Sequence, residues 1–219
     1  MVERAEILAG VKKKRGYLLP YHELFACVDP ELLDRYDRFY DCLTLHTKHL
    51  DNKTKELVWI GILLSASEEA GTIHVERGRK AGITDDEIAD VIMLTQVAKG
   101  FDVLLFAEEK WGAHLPGIKP MQIYERLVDG VTDKLTVEKR IAELLFIGIY
   151  SALPIKEALR FHLRRSKSHG LRDEEIAEAM SFIFIPRGGN ILIEASEVLK
   201  ELVQSGELKP DSVFDLFIE

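Results

Sequence analysis

HVERGRKAGITDDEIAD (74–90) and HLRRSKSHGLRDEEIAE (162–178) are one phrase written twice. Each opens on a histidine, carries an arginine three residues on, turns at a glycine and runs into an acidic segment ending in Glu-Ile-Ala. Seven of the 17 aligned positions are identical, where about one match is expected by chance at ordinary composition. Gly82 suits the left-handed end of one helix, and Thr84 with Glu87 forms a capping box that opens the next. The phrase therefore reads as the end of one helix, a tight turn and the start of another.

Working outward, the register of 88 residues holds downstream, where Gly100, Leu104 and Ala107 fall on Gly188, Leu192 and Ala195. Upstream a one-residue shift sets ELVWIGI (56–62) on ELLFIGI (143–149). Each copy is thus a lead helix beginning near Glu56 or Glu143, a second helix with the histidine, and a long third helix. Apolar residues at three- and four-residue steps (Leu57, Ile60, Gly61, Leu64; Ile88, Val91, Ile92, Thr95) support helices, and no alternating strand pattern appears. Asp29 before Pro30 reads as a helix cap with proline at the first helical position. The expected fold is all-α. Residues 1–49 form an N-terminal helical lead-in, 50–115 the first repeat, 116–134 a linker, 135–205 the second repeat and 206–219 a tail.

Composition narrows the function classes. The chain has 219 residues, 47% hydrophobic and 30% charged, with a net charge of −8. That balance argues against a nucleic-acid partner, since phosphates demand a basic surface. The basic run Lys12 to Arg15 reads as a solvated helix end. The longest largely apolar run, Leu57 to Ala66, is far short of the roughly 20 residues that span a bilayer. No membrane partner is expected, and no secretory leader is visible. Cys27 and Cys42 make neither a CxxC pair nor a zinc spacing, and read as two buried thiols of a cytoplasmic chain.

The chemistry sits in the pairs. A carboxylate near the start of an apolar helix and a histidine 18 or 19 residues later can meet at one end of a helical pair, Glu56 with His74 and Glu143 with His162. Such a couple is a plausible proton relay, the carboxylate fixing the imidazole tautomer. The plainer alternative makes both glutamates first-turn residues favoured by the helix dipole and both histidines core residues bonded to backbone. His46 and His49 could join Asp51 or Glu56 at a metal, but a solvated helix end explains them as well, so no metal is expected. No Glu-x-x-His pair of the di-iron kind occurs. Pro186 to Asn190 is glycine-rich without a phosphate-loop lysine, and with Ala98 to Asp102 it reads as a backbone kink common to both copies.

The stretch LDNKTKELVWIGILLSASEEAGTIHVERGRKAGITDDEIADVIML (50–94) resembles the core of the alkylhydroperoxidase D/carboxymuconolactone decarboxylase superfamily. Residues 135–195 resemble a second, more degraded copy, and LFACVDPELLDRYDRFYDCL (24–43) is similar to the helical lead-in of many members. The resemblance implies a homo-oligomer, a trimer acting as a pseudo-hexamer or else a dimer. Peroxidase members carry a CxxC pair whose second cysteine lies four residues before the histidine. Here those positions hold Ser67 and Ala70 in the first copy, Ile155 and Ala158 in the second. None can attack a peroxide or resolve a sulfenic acid, so thiol peroxidase activity is not expected. What remains resembles the decarboxylase-like branch, without a cofactor. His74 would be its acid/base and Glu56 its orienter, with Glu143 and His162 in the same roles in the second copy. Arg77 or Arg165 would meet the carboxylate of a small organic acid or lactone, and Ser67 would line the site. A non-catalytic oligomeric or ligand-binding protein on the same scaffold is the alternative.

Overall fold

The computed structural model describes residues 2–218, so Met1 and Glu219, the outer ends of the expected lead-in and tail, lie outside the described residues. The helices run α1 (Val2–Arg15), α2 (Pro20–Val28), α3 (Pro30–Tyr40), α4 (Asn52–Ala66), α5 (Gly71–Lys80), α6 (Asp85–Lys99), α7 (Phe101–Phe106), α8 (Pro120–Thr132), α9 (Lys139–Ala152), α10 (Lys156–Ser166), α11 (Asp173–Ser181) and α12 (Phe184–Gln204). No strand occurs among the described residues, and the fold is all-α as the periodicity requires. No single helix there is long and apolar enough to cross a membrane. The chain divides into two compact units, Met1–His46 and Thr47–Glu219.

In the first unit, Asp29 caps α3 by accepting the N–H of Glu31 at 2.9 Å, and Pro30 follows at the first helical position. Val11, Ala26 and Leu33 form its core, with Ile7, Leu8, Leu18 and Phe25 packed against them. Two expectations change here. Arg15 is not part of a solvated helix end: its guanidinium is buried over the Tyr40 ring at 3.8 Å and its Nε donates to Asp37 at 2.8 Å. A planar cation that stacks and pairs can be taken out of water where a lysine would resist it. Cys27 and Cys42 are exposed rather than buried. On α2 the inward positions are His22 and Ala26, which turns the next residue, Cys27, about 100° away.

The second unit is built on α4 and α9, which pack on each other through two glycines. A Cβ added at Gly61 would lie 3.2 Å from Ile149 Cδ1, and one at Gly148 would lie 3.0 Å from Val58 Cγ1. Every residue of α4 from Thr54 to Leu63 is buried, so this helix is surrounded rather than amphipathic. Leu64, expected on its apolar face, is instead 40% exposed. On α6 the inward stripe is Glu87, Val91, Leu94 and Ala98; Ile92, expected to face inward, lies outside it and is exposed.

Interactions recur 87 or 88 residues apart. Lys53 pairs with Glu87 and Arg140 with Glu175; Arg79 pairs with Asp85 and Lys167 with Asp173. Asp90 accepts the backbone N–H groups of Thr136 (2.7 Å) and Val137 (2.9 Å). Glu178 accepts those of His49 (2.8 Å) and Leu50 (2.9 Å). These two carboxylates, Asp90 on α6 and Glu178 on the shorter α11, thus each hold the chain leading into the opposite central helix. The glycine stops behave alike, with Gly82 at φ 87° and Gly170 at φ 73°. So do the later breaks: α6 ends at Gly100, and Gly188 is non-helical inside α12.

The expected linker, 116–134, contains α8, which buries Tyr124, Val128 and Thr132 along one face. The tail is also ordered. A 3₁₀ turn at Val213–Phe217 buries Phe214, and Asp173 accepts the N–H groups of Asp211 (2.9 Å), Ser212 (3.0 Å) and Phe214 (3.3 Å).

Candidate active site

Glu56 occupies the fifth position of α4, beyond the first turn, so the helix dipole does not explain it. Gly78 on α5 lets the two helices close at this level. A Cβ there would lie 2.5 Å from Ile83 Cδ1 and 3.6 Å from the Cβ of Glu56. His74, one turn earlier on α5, then meets Glu56 with Nδ1 2.7 Å from Oε2. Both residues are buried. Burial lowers the His74 pKa below its ordinary value against the pull of Glu56, and Arg77 lowers it further. A neutral imidazole that donates Nδ1–H to the carboxylate keeps a lone pair on Nε2. No hydrogen bond from a described residue closes that nitrogen.

Trp59 completes this group. Its ring stacks on His74 at 4.6 Å and on Phe182 at 5.0 Å, with interplanar angles of 21° and 22°. The indole N–H is buried and meets no acceptor.

The second pair has the same first contact and a different ending. His162 Nδ1 lies 2.8 Å from Glu143 Oε1, and Phe146 stacks on the imidazole at 4.3 Å. Here the Tyr124 hydroxyl lies 2.7 Å from Nε2 and 2.6 Å from the Tyr150 hydroxyl. Burial lowers the His162 pKa and raises those of Tyr124 and Tyr150. His162 has no exposed surface at all. The result is a closed polar network inside the core.

The remaining expected site residues divide. Arg77 lies one turn beyond His74, half-buried, and is close enough to weigh on its charge. Arg165 is engaged: its guanidinium reaches Asp129 at 2.9 Å, approaches Glu143 at 3.7 Å and lies over the Phe161 ring. Ser67 is not brought to His74. It is exposed at the end of α4, with left-handed backbone (φ 59°), and its Oγ accepts a hydrogen bond from Lys99 at 3.2 Å. Among the described residues no group of three or more His, Cys, Asp or Glu side chains could hold a metal ion. Five surface clefts take no lining from Glu56, His74, Glu143 or His162.

Two residues escaped sequence reasoning. Tyr124 lay in the expected linker, although Tyr124 and Val128 sit four apart, a helical step. Trp59 lay in plain view as the tryptophan of ELVWIGI where the second copy has phenylalanine.

Residues 30–109 match the profile of the Carboxymuconolactone decarboxylase family. No curated protein matches. The crystal structure of a candidate gamma-carboxymuconolactone decarboxylase subunit from Burkholderia xenovorans superposes with a TM-score of 0.61, covering 93% of this chain and 98% of that one. At 18% identity that likeness establishes the shared fold.

Proposed function

We propose, from the match of residues 30–109 to the carboxymuconolactone decarboxylase family, that the chain is a cofactor-free acid–base catalyst acting on a small organic acid or lactone, with decarboxylation as its reaction. The observation that carries the reading is the Glu56–His74 pair at 2.7 Å with Nε2 of His74 left open. In this reading the proton of the substrate's carboxylic acid moves to Nε2, and Glu56 stabilises the imidazolium that forms. The carbon–carbon bond then breaks, carbon dioxide leaves, and the electron pair passes into a conjugated carbonyl. His74 returns the proton to the carbon, so atoms and charge balance. Arg77 meets a second carboxylate of the substrate.

The two halves of Thr47–Glu219 are copies of one duplicated unit in this proposal, and only the first works. Closure of His162 by Tyr124 at 2.7 Å supports that assignment. The exposed apolar side chains Val103, Phe106, Trp111 and Ile118 support self-association, a trimer or a dimer. The test is carbon dioxide release from gamma-carboxymuconolactone and related unsaturated acids by the purified chain, beside the Glu56→Gln and His74→Gln variants. Turnover that survives both substitutions would sink the proposal. Burial of both histidines favours a second reading, a non-catalytic oligomeric or ligand-binding protein. Absence of turnover on every acid tried, with binding retained, would select it.

A further inference from the structure

The indole N–H of Trp59 has no structural employment. Buried N–H groups in folded proteins almost always find an acceptor, and leaving one unmet is costly. Trp59 is 1% exposed and its N–H meets none. Packing does not require the nitrogen. In the other half Phe146 holds the corresponding place, 87 residues on, and stacks on His162 as Trp59 stacks on His74. The tryptophan adds one thing the phenylalanine lacks, a hydrogen-bond donor beside the imidazole.

The same stacked pair carries a second unmet group, the Nε2 lone pair of His74. A donor and an acceptor on two stacked rings, with centroids 4.6 Å apart, match a functional group that holds both a lone pair and a proton. A carboxylic acid does, and so does a carbonyl with an acidic neighbouring hydrogen. We infer that Trp59 is the oxygen-binding donor of this site, its N–H taking the carbonyl or carboxylate oxygen of a small unsaturated acid while His74 handles the proton. The inference rests on the acid–base reading above and names the part of the site that reading leaves open.

The chemistry gives the donor its purpose. When the carbon–carbon bond to the carboxyl group breaks, the electron pair moves into the conjugated carbonyl and its oxygen becomes an enolate. A buried N–H that donates to that oxygen binds it more tightly than the ground-state carbonyl, which is the requirement for lowering a barrier. Because His74 and Trp59 are almost covered, the end of the molecule that reaches both carries the carboxyl group and the carbonyl conjugated with it. In the second half Phe146 offers the oxygen nothing, and Tyr124 occupies the histidine.

The chain has two tryptophans, so a Trp111→Phe protein labelled with nitrogen-15 shows a single indole N–H signal, that of Trp59. Titration with cis,cis-muconate is expected to shift that signal saturably, together with the ring signals of His74. Trp59→Phe should weaken muconate binding about tenfold, the effect of losing one charge-assisted hydrogen bond, while Trp111→Phe leaves it unchanged. If muconate moves His74 but leaves the Trp59 signal in place, the donor role is wrong and the acid–base site stands. If neither responds at saturating concentration, both readings fall. The signal shift is read with Trp59 intact, so it does not depend on the Trp59→Phe variant folding.

Discussion

The Tyr124 hydroxyl lies 2.7 Å from Nε2 of His162, and this contact separates two otherwise matching Glu–His pairs. His162 is held on both ring nitrogens and fully covered; His74 is held on one. A residue from α8, outside both expected repeats, therefore closes one histidine and, in the function proposed above, leaves His74 as the one that exchanges a proton with a ligand.

Tyr124→Phe keeps the ring contacts with Phe101 and Phe161 but removes the hydroxyl shared by His162 and Tyr150. Stability should fall by about 1–3 kcal/mol, the cost of leaving a buried polar group unmet. Urea unfolding would measure it, and any turnover through Glu56 and His74 should persist.

The two glutamates should separate in their effects. Glu56→Gln is expected to lower turnover by about 100-fold or more, because the imidazolium loses its charge partner. Glu143→Gln should instead lower the urea midpoint with little change in turnover. Equal loss of activity in both variants would show that both halves work.

Three buried histidines, His22, His74 and His162, have pKa values below the ordinary one, in each case chiefly through burial; that of His22 falls to about 4. The unfolded chain takes up these protons near pH 6.5 and the folded chain only below that. Stability is therefore complete above about pH 6.5 and declines as pH falls, with the His22 share lost between about 6.5 and 4. Thermal melts from pH 8 to 4 should show this slope, and His22→Gln should flatten part of it. Turnover, which needs neutral His74, should persist as pH falls through about 6.5 and decline only at lower pH, because burial lowers the His74 pKa in the folded chain.

Gly148→Ala places a methyl group 3.0 Å from Val58 Cγ1, on a helix pair buried all round. Overpacking of that kind costs roughly 1–3 kcal/mol. Gly130→Ala, with open space at its Cβ, is the control and should be neutral or slightly stabilising. Chemical denaturation of the two variants side by side checks the contrast.

Asp173→Ala removes the acceptor for three backbone N–H groups of the tail and the partner of Lys167. Hydrogen exchange at residues 211–217 should accelerate, and limited proteolysis should clip there first. Exchange in α4 should stay as slow as in the parent, because the tail packs on α11 and α12.

The sequence was legible where local chemistry dictates structure. Thr84 and Glu87 form the expected capping box, with hydrogen bonds of 3.2 and 2.9 Å. Gly82 and Gly170 take the left-handed conformation a helix stop demands, and Asp29 caps the helix that Pro30 begins. These signals act over four residues and need no partner from elsewhere. The all-α class follows from them. That Glu56 could meet His74 and Glu143 meet His162 is one of two readings the spacing allows, and the packing of the helices brings the pairs to 2.7 and 2.8 Å.

Only the tertiary structure decided what each pair can do, because burial and closure depend on residues far away in the chain. Tyr124 reaches His162 across 38 residues, and Phe182 reaches Trp59 across 123. Arg15 is buried because Asp37 and Tyr40 happen to surround it, and Leu64 is exposed although Leu63 and Ser65 on either side of it are buried. Periodicity gives a helix its inward face only when the core lies on one side. A central helix is buried by whatever packs around it, and that is fixed by the assembled fold.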